Sequence, residues 1–429
     1  MRFTTLADWL DWQAGLSPKH IDLGLERVRA VWERLAIDTL GAAVITVGGT
    51  NGKGSSVAFA EAILQAAGYR TGCYTSPHLV RYNERIRVDQ VEADDRRICA
   101  AFERVDRARG EIPLTYFEFG TLAALCIFSE QPLDAVILEV GLGGRLDAVN
   151  LIDPDVALIS SIGLDHQDWL GNDLESIARE KAGIMRSGRP VVFSGRAMPA
   201  SIRSSAAAVG ARLLVAGEDY HATRHADSWD LSGAGVERRS LPLPGLRGAV
   251  QFDNAAGVIV ALAQLATRLP LDQRAVRAGL LTARLRGRFE VRPGRPTWVL
   301  DVAHNPQAAG VLDGMLADLH VPGRRIAVCG MLADKDAAGV AEVLAARFDA
   351  WYLIDLDDRS RGLSAAALYD RMRPALPGVE LHRGGDIGDT LATLSGQLAA
   401  DDQVVVFGSF LTVGAAMHWM ETARGSADG

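Results

Sequence analysis

Val44-Ile45-Thr46-Val47-Gly48-Gly49-Thr50-Asn51-Gly52-Lys53-Gly54-Ser55-Ser56 decides how the rest of this 429-residue chain reads. Its β-branched start predicts a strand over Ala42–Val47 that is buried on both faces. A Gly-rich turn follows. A helix is then expected from Ser55 to about Ala67, ending at Gly68, which suits a left-handed cap. In such a turn backbone N–H groups converge on phosphate oxygens. The helix N-terminus adds partial positive charge, and Lys53 adds a full one. The strict Walker A pattern needs Gly at Val47 and Ser or Thr at Gly54, so the loop departs from it at both positions. It keeps the strand–loop–helix context that the phosphate-binding reading requires.

Outward from this loop the chain alternates. Strands are expected at Thr71–Thr75, Ala135–Val140 and Val156–Ile162, and helices at Thr5–Ala14, Leu25–Leu35, Phe119–Phe128 and Leu174–Ile184. That rhythm predicts a doubly wound, mostly parallel sheet. A second rhythm has strands at Thr297–Asp301, Arg325–Cys329, Ala350–Ile354 and Val404–Phe407. Its helices are expected at Ala308–Leu319, Ala337–Arg347 and Ser364–Met372. Pro293, Gly294 and Pro296 interrupt the pattern before it. The expected fold class is therefore α/β: a P-loop domain over residues 1–290, then a smaller Rossmann-like domain over residues 291–429. The length suits two or three domains.

Composition narrows the function. Lys and Arg number 45 against 53 Asp and Glu, a net charge of −8, which speaks against a general nucleic-acid binder. No apolar run of about 18 residues indicates a membrane span. The N-terminus, with Asp8 and Asp11, lacks a signal-peptide pattern, so a cytoplasmic protein is expected. The four cysteines form no CxxC pair, which favours reduced core thiols over a disulfide framework or a cysteine zinc site.

Several polar residues end apolar strands, where α/β folds expose ligand-binding groups. Glu139 closes Ala135-Val136-Ile137-Leu138-Glu139. A carboxylate in so apolar a run costs several kcal/mol unless it is paired or metal-bound. Gly141-Leu142-Gly143-Gly144-Arg145-Leu146-Asp147 follows it. Asp165-His166 comes after another apolar strand, and Glu180-Lys181-Ala182-Gly183-Ile184 ends a helix. Read locally, His166 is a hydrogen-bonded histidine and Lys181 a surface lysine. A metal beside a nucleotide would be Mg²⁺, which takes hard oxygen ligands.

Taken in order, these motifs resemble the Mur ligase superfamily, and within it the folate branch of folylpolyglutamate synthases and bifunctional dihydrofolate synthases. The matching stretches are Gly49–Ser55, Thr75-Ser76-Pro77-His78-Leu79, Glu139–Asp147, Leu164-Asp165-His166, Lys181–Ile184, Gly287-Arg288-Phe289-Glu290 and Asp301-Val302-Ala303-His304-Asn305-Pro306. They run from Ile21 to Gly408-Ser409-Phe410. Gly54 after the lysine is how this branch writes its loop.

The resemblance implies roles. Thr50, Asn51, Gly52, Lys53, Gly54 and Ser55 would hold the ATP phosphates, and Asn254, Arg288 and Asp301 would reach the nucleotide. Ser76 and Glu139 would bind one Mg²⁺ and His166 a second. Lys181 would carry CO₂ as a carbamate, turning a cation that repels metal into an anionic ligand. His20, Ile21, Asp22 and Leu23, with Thr115, Tyr116, Phe117 and Glu118, resemble the two halves of a dihydropteroate site. Arg145 and Asp147 would lie near that substrate. His304 and Ser409 would meet L-glutamate. Read without the resemblance, Asn254 is a helix-start Asn, Arg288 a linker Arg, Asp301 a strand-end Asp, and Tyr116 and Phe117 core aromatics.

The implied reaction is ATP-driven joining of L-glutamate to dihydropteroate or to folates through an acyl phosphate. Its partners would be small molecules, and the family pattern is a monomer. A ligase for another carboxylate, such as a peptidoglycan precursor, is the alternative within the enzyme class. A nucleotide-hydrolysing switch is the alternative outside it, weakened by the lack of an Asn-Lys-x-Asp guanine-reading motif.

Overall fold

The computed structural model describes residues 2–17, 21–37, 39–356 and 361–425. His20 lies outside them. The first sheet has eight strands in the spatial order Val91–Glu92, Ile86–Val88, Thr71–Tyr74, Ala135–Glu139, Ala43–Gly48, Val156–Ile159, Pro190–Phe193 and Arg212–Val215. The first two form an antiparallel edge and the other six run parallel.

The unalternated hydropathy of the central strands has a direct cause. Val44, Val136, Leu138, Ala157 and Ile159 enter one core, while Ala43, Ile45, Val47, Ala135, Ile137, Val156 and Leu158 enter the other. Helices cover both faces. Lys53–Ala66 packs with Val250–Ala263 and Gln273–Thr282 on one side. On the other, Asp95–Arg109 and Tyr116–Ser129 carry the N-terminal helices Leu6–Ala14 and Glu26–Leu35.

Strand register positions the site. Val47 pairs with Glu139 on one side and with Leu158 on the other. The segments beginning at Gly49, Val140 and Ser160 therefore leave the sheet at one edge, where parallel sheets bind ligands.

A three-stranded antiparallel sheet, Tyr220–Arg224, Ser228–Gly233 and Val236–Pro242, is absent from the sequence-based expectation. Its strands are short and polar, and only scattered residues such as Trp229 and Leu231 are fully buried, so hydropathy alone does not mark it.

The second sheet has the order Glu290–Arg292, Thr297–Leu300, Gln403–Phe407, Arg325–Cys329, Ala350–Ile354 and Glu380–Gly385, parallel except for its first strand. The stretch Pro293–Pro296 is the turn joining the first two strands. The change of sheet falls just before Glu290. The helix expected from Ala308 begins at Pro306, because Asn305 caps it by accepting from Ala308 N and proline fits the first helical turn. No helix among the described residues is long and apolar enough to cross a membrane.

Candidate active site

The phosphate loop is tied down before any ligand arrives. Thr50 N donates to the Ser161 carbonyl (2.6 Å), and Thr50 Oγ1 donates to the Gly163 carbonyl (3.1 Å). Ser160 Oγ and Ser161 Oγ both donate to the Asn51 carbonyl, at 2.7 and 3.0 Å. The loop thus takes its shape from the neighbouring strand's exit.

Gly49 is required by this packing. Its φ is +134°, and a Cβ there would lie 2.1 Å from Ser160 Oγ. Gly49→Ala is expected to cost about 2 kcal/mol or more, from backbone strain plus overlap. Urea denaturation with a nucleotide-binding titration checks this. An unchanged midpoint and affinity would mean that the loop does not need this close approach.

Lys53 Nζ donates to the Gly49 and Thr50 carbonyls, at 3.0 and 3.1 Å. The ammonium is folded into its own loop rather than facing solvent. Burial lowers its pKa, against the attraction of Glu139 and Asp165.

Lys181 is not a surface lysine. It is buried, and its Nζ donates to the Gly49 carbonyl at 2.9 Å. Burial, reinforced by Lys53, lowers its pKa to about 7. Glu139 is buried beside Lys53. It accepts from Ser76 N (3.2 Å), and burial raises its pKa. Asp147 accepts from Leu142 N (2.8 Å) and Val149 N (3.0 Å), yet burial still lifts it to about 6.

The second sheet closes the cleft from above. Asn51 Nδ2 donates to Asn305 Oδ1 (3.2 Å) and Gln307 Oε1 (2.6 Å), across some 250 positions of chain. Asp165 meets Lys335 Nζ at 2.5 Å and His304 Nε2 at 3.4 Å. Burial acts to raise Asp165. The hydrogen bond from His304, with His166 and Lys335 close by, overrides it and holds the carboxyl well below its usual range.

His166 has a left-handed backbone (φ 52°). Its Nε2 lies 3.4 Å from Lys335 Nζ, and its buried Nδ1 has no hydrogen bond among the described residues, with Asp334 Oδ2 3.8 Å away. Burial and the Lys335 charge lower its pKa to about 3, so the ring is neutral.

Lys335 and Gln307 escape the sequence reading. Lys335 follows the strand Arg325–Cys329 within Leu332-Ala333-Asp334-Lys335-Asp336, a charged strand exit of the same kind as Asp165-His166, and that was the available signal.

A flat wall lies at the far end of the cleft. Thr115 caps the helix Tyr116–Ser129 in a reciprocal box with Glu118, with Glu118 N to Thr115 Oγ1 at 3.2 Å and Thr115 N to Glu118 Oε2 at 2.7 Å. Arg27 joins Glu118 (3.0 Å) to Asp22 (2.7 Å), so the segments Ile21–Gly24 and Thr115–Glu118 are one unit in space. Phe117 lies against Gly141, where a Cβ would come within 2.7 Å of the ring.

One cavity of about 510 Å³ connects these parts. It is lined by Ile21, Asp22 and Leu23, by Gly49 to Gly54, by Ser76, by Thr115 to Glu118, by Glu139, Asp147, His166 and Lys181, and by Arg288, His304 and Ser409. Among the described residues of the expected site, four do not line it. Arg145 is exposed and paired with Glu180 (2.9 Å). Asp301 accepts from Phe289 N (2.7 Å) and Ala303 N (2.8 Å), fixing the junction between the sheets. Asn254 sits against Gly52 and bonds Gln251 (3.0 Å), and Ser55 is buried in the first helical turn. Arg288 reaches the cleft and lies over the Phe410 ring at 5.3 Å. Ser409 accepts from Thr412 N (2.9 Å) at the start of the last helix.

Comparison with known proteins follows this geometry. Residues 47–235 match the Mur ligase middle domain, and residues 287–410 match the Mur ligase glutamate ligase domain. The chain is 44% identical to the dihydrofolate synthase/folylpolyglutamate synthase of Escherichia coli strain K12, over 98% of this chain and 96% of that protein. The folylpolyglutamate synthase of Lacticaseibacillus casei is 33% identical over 75% of this chain and 78% of its own. A structure of the Escherichia coli enzyme with DHPP and ADP superposes with a TM-score of 0.91, at 43% identity, over 98% of this chain and 99% of that one. A bifunctional folylpolyglutamate synthase/dihydrofolate synthase with Mn, AMPPNP and L-glutamate bound gives 0.89, at 42% identity over 97% and 98%.

Proposed function

This chain belongs to the Mur ligase family, among its dihydrofolate synthase/folylpolyglutamate synthases, and from that premise we propose that it joins L-glutamate to dihydropteroate and to folates at the expense of ATP. It is an acid–amino-acid ligase. The observation that carries the reading is the single cavity joining the phosphate loop, the Thr115–Glu118 wall and the second-lobe residues His304 and Ser409. A ligase of this kind must hold a nucleotide, an acid and an amine within reach of one another.

In the reaction the substrate carboxylate attacks the γ-phosphate of ATP and becomes an acyl phosphate. The amine of L-glutamate then displaces phosphate and forms the amide. The loop N–H groups and Lys53 hold the phosphates and meet the growing charge on the transferring group. Phe117, packed on Gly141, offers a face to a flat heterocycle with Asp22 at the rim, while Glu118, its oxygens held by Thr115 N and Arg27, keeps the wall in shape. His304 and Ser409 receive the amino acid. Asn254, Arg288 and Asp301 serve the nucleotide, with Asp301 acting through the backbone it anchors. Dihydropteroate and folates are small, the site is internal, and we place the enzyme in the cytoplasm as a monomer.

Among the described residues, no three His, Cys, Asp or Glu side chains gather into a protein-only cation site. That suits Mg²⁺, which is commonly held by one or two protein groups together with phosphate oxygens and water. Glu139 spends one oxygen on Ser76 N and faces Lys53, so Glu139 with Ser76 fits a first ion. His166, with a neutral ring and an Nδ1 that makes no hydrogen bond among the described residues, fits a second. When bound, Mg²⁺ would neutralise phosphate charge during transfer. Lys181 would be the carbamate, and its burial beside the loop supports this, since only a neutral amine reacts with CO₂.

Glutamate-dependent ADP release is the test, run once with dihydropteroate and once with a reduced folate. Release with neither substrate would overturn the reading. Glu139→Gln is expected to lower turnover by more than about tenfold and to raise the Mg²⁺ requirement, because the amide keeps the shape but loses an anionic ligand. An unaltered Mg²⁺ titration would make Glu139 structural.

A further inference from the structure

Arg85 is a cation with no anion beside it among the described residues. It is 8% exposed and lines the main cavity, yet among the described residues no carboxylate lies within ion-pair distance of it. Its Nε donates to His78 Nδ1 at 2.8 Å, the one hydrogen bond of its side chain among these residues. Its guanidinium lies over the rings of Tyr82 (5.4 Å) and Tyr116 (5.6 Å). Guanidinium groups so buried are ordinarily paired, because desolvation of the charge is costly. Ring contacts offset only part of that cost.

The surroundings hold Arg85 in place rather than satisfy it. The nearest acid in sequence, Glu84, is spent on the N–H groups of Leu79, Val80 and Arg81, each at 2.8 Å. Accepting at Nδ1 places the His78 ring proton on Nε2. The two tyrosines and His78 restrict the guanidinium plane and leave its terminal N–H groups for the cavity.

We propose that Arg85 is a substrate-recognition residue that receives a carboxylate of the pterin-bearing substrate through its terminal N–H groups, with His78 as the residue that positions it. This rests on the ligase reading above. The phosphates of ATP have the loop and Lys53, whereas Arg85 stands on the wall between Ser76 and Tyr116. A planar fork suits a carboxylate, and no acid among the described residues competes for it. That carboxylate is either the one to be activated or the non-reacting one on a glutamate already attached.

Steady-state kinetics of Arg85→Met and Arg85→Lys separate these sources. Dihydropteroate has one carboxylate, the reacting one, while a monoglutamyl tetrahydrofolate has two, both on its glutamate, of which one reacts and the other does not. Arg85→Met should raise KM for the affected substrate by about tenfold to a hundredfold, the loss of a charge-assisted hydrogen bond. Arg85→Lys should recover part of it. KM for ATP and the nucleotide affinity by calorimetry should stay at wild-type values. A rise with both substrates assigns the reacting carboxylate, and a rise with the folate alone assigns the resident glutamate. The inference is overturned if the folded Arg85→Met variant keeps both KM values within about threefold, or if KM for ATP rises equally, which marks a structural role. A wild-type protein that turns over neither substrate removes the ligase reading itself, and this inference with it.

Discussion

Lys53→Met should lower ligation by about 10³-fold or more, the scale of losing a preorganised charge at a transferring phosphoryl group. Its ammonium is held by the Gly49 and Thr50 carbonyls, and it is expected to turn from them to phosphate when nucleotide binds. The loop has other anchors, through Ser160, Ser161 and Gly163, and these remain in the variant. The melting temperature should therefore change by only a few degrees, the effect of about 1 kcal/mol. ADP formation and circular dichroism, measured on the same preparation, check both statements. A folded variant with near wild-type turnover would end the phosphate-loop assignment.

The second large effect is expected at Lys181. Lys181→Ala should lose activity by about 10³-fold, comparable to removal of an essential charged group from a phosphoryl-transfer site. Formate or acetate at high concentration should restore part of it, since a small carboxylate can occupy the vacated space. The pH dependence has a defined sign. Burial lowers the amine to about pKa 7, far below an ordinary lysine, so near neutral pH much of it is uncharged and reactive toward CO₂. As pH falls through about 7 the ammonium forms and that reactivity is lost. Dependence of the wild-type rate on added bicarbonate should therefore be steeper at pH 6 than at pH 8. Mass spectrometry under native conditions, looking for the added CO₂, gives a readout independent of turnover. An undiminished rate in Lys181→Ala would show that this amine is only a strut for Gly49.

The strand–loop–helix stretch around Lys53, the α/β alternation and the strand-end residues Glu139, Asp165 and Ser409 were all legible along the chain. Each is a local signal. A doubly buried strand writes a continuous apolar run because its successive residues feed two cores. A ligand loop writes glycines where backbone must approach closely. The ordered set of motifs was specific enough to point to the ligase family without a structure.

What the chain could not reveal is which side chains spend themselves on the protein and which remain for a ligand. Arg145 and Asp301 stand in motif positions, yet one pairs with Glu180 and the other holds backbone N–H groups of Phe289 and Ala303. Lys181 reads as a surface residue and is buried. Lys335 and Gln307, from the second lobe, reach Asp165 and Asn51 of the first. Arg85 is not singled out along the chain, and the packing of Tyr82, Tyr116 and His78 leaves it buried with no counter-ion among the described residues. The sequence by itself determined the elements and the phosphate loop, because periodicity and turn chemistry act between near neighbours. Tertiary structure decided burial, pairing and charge at the site, because these depend on groups that lie up to some 250 residues apart along the chain.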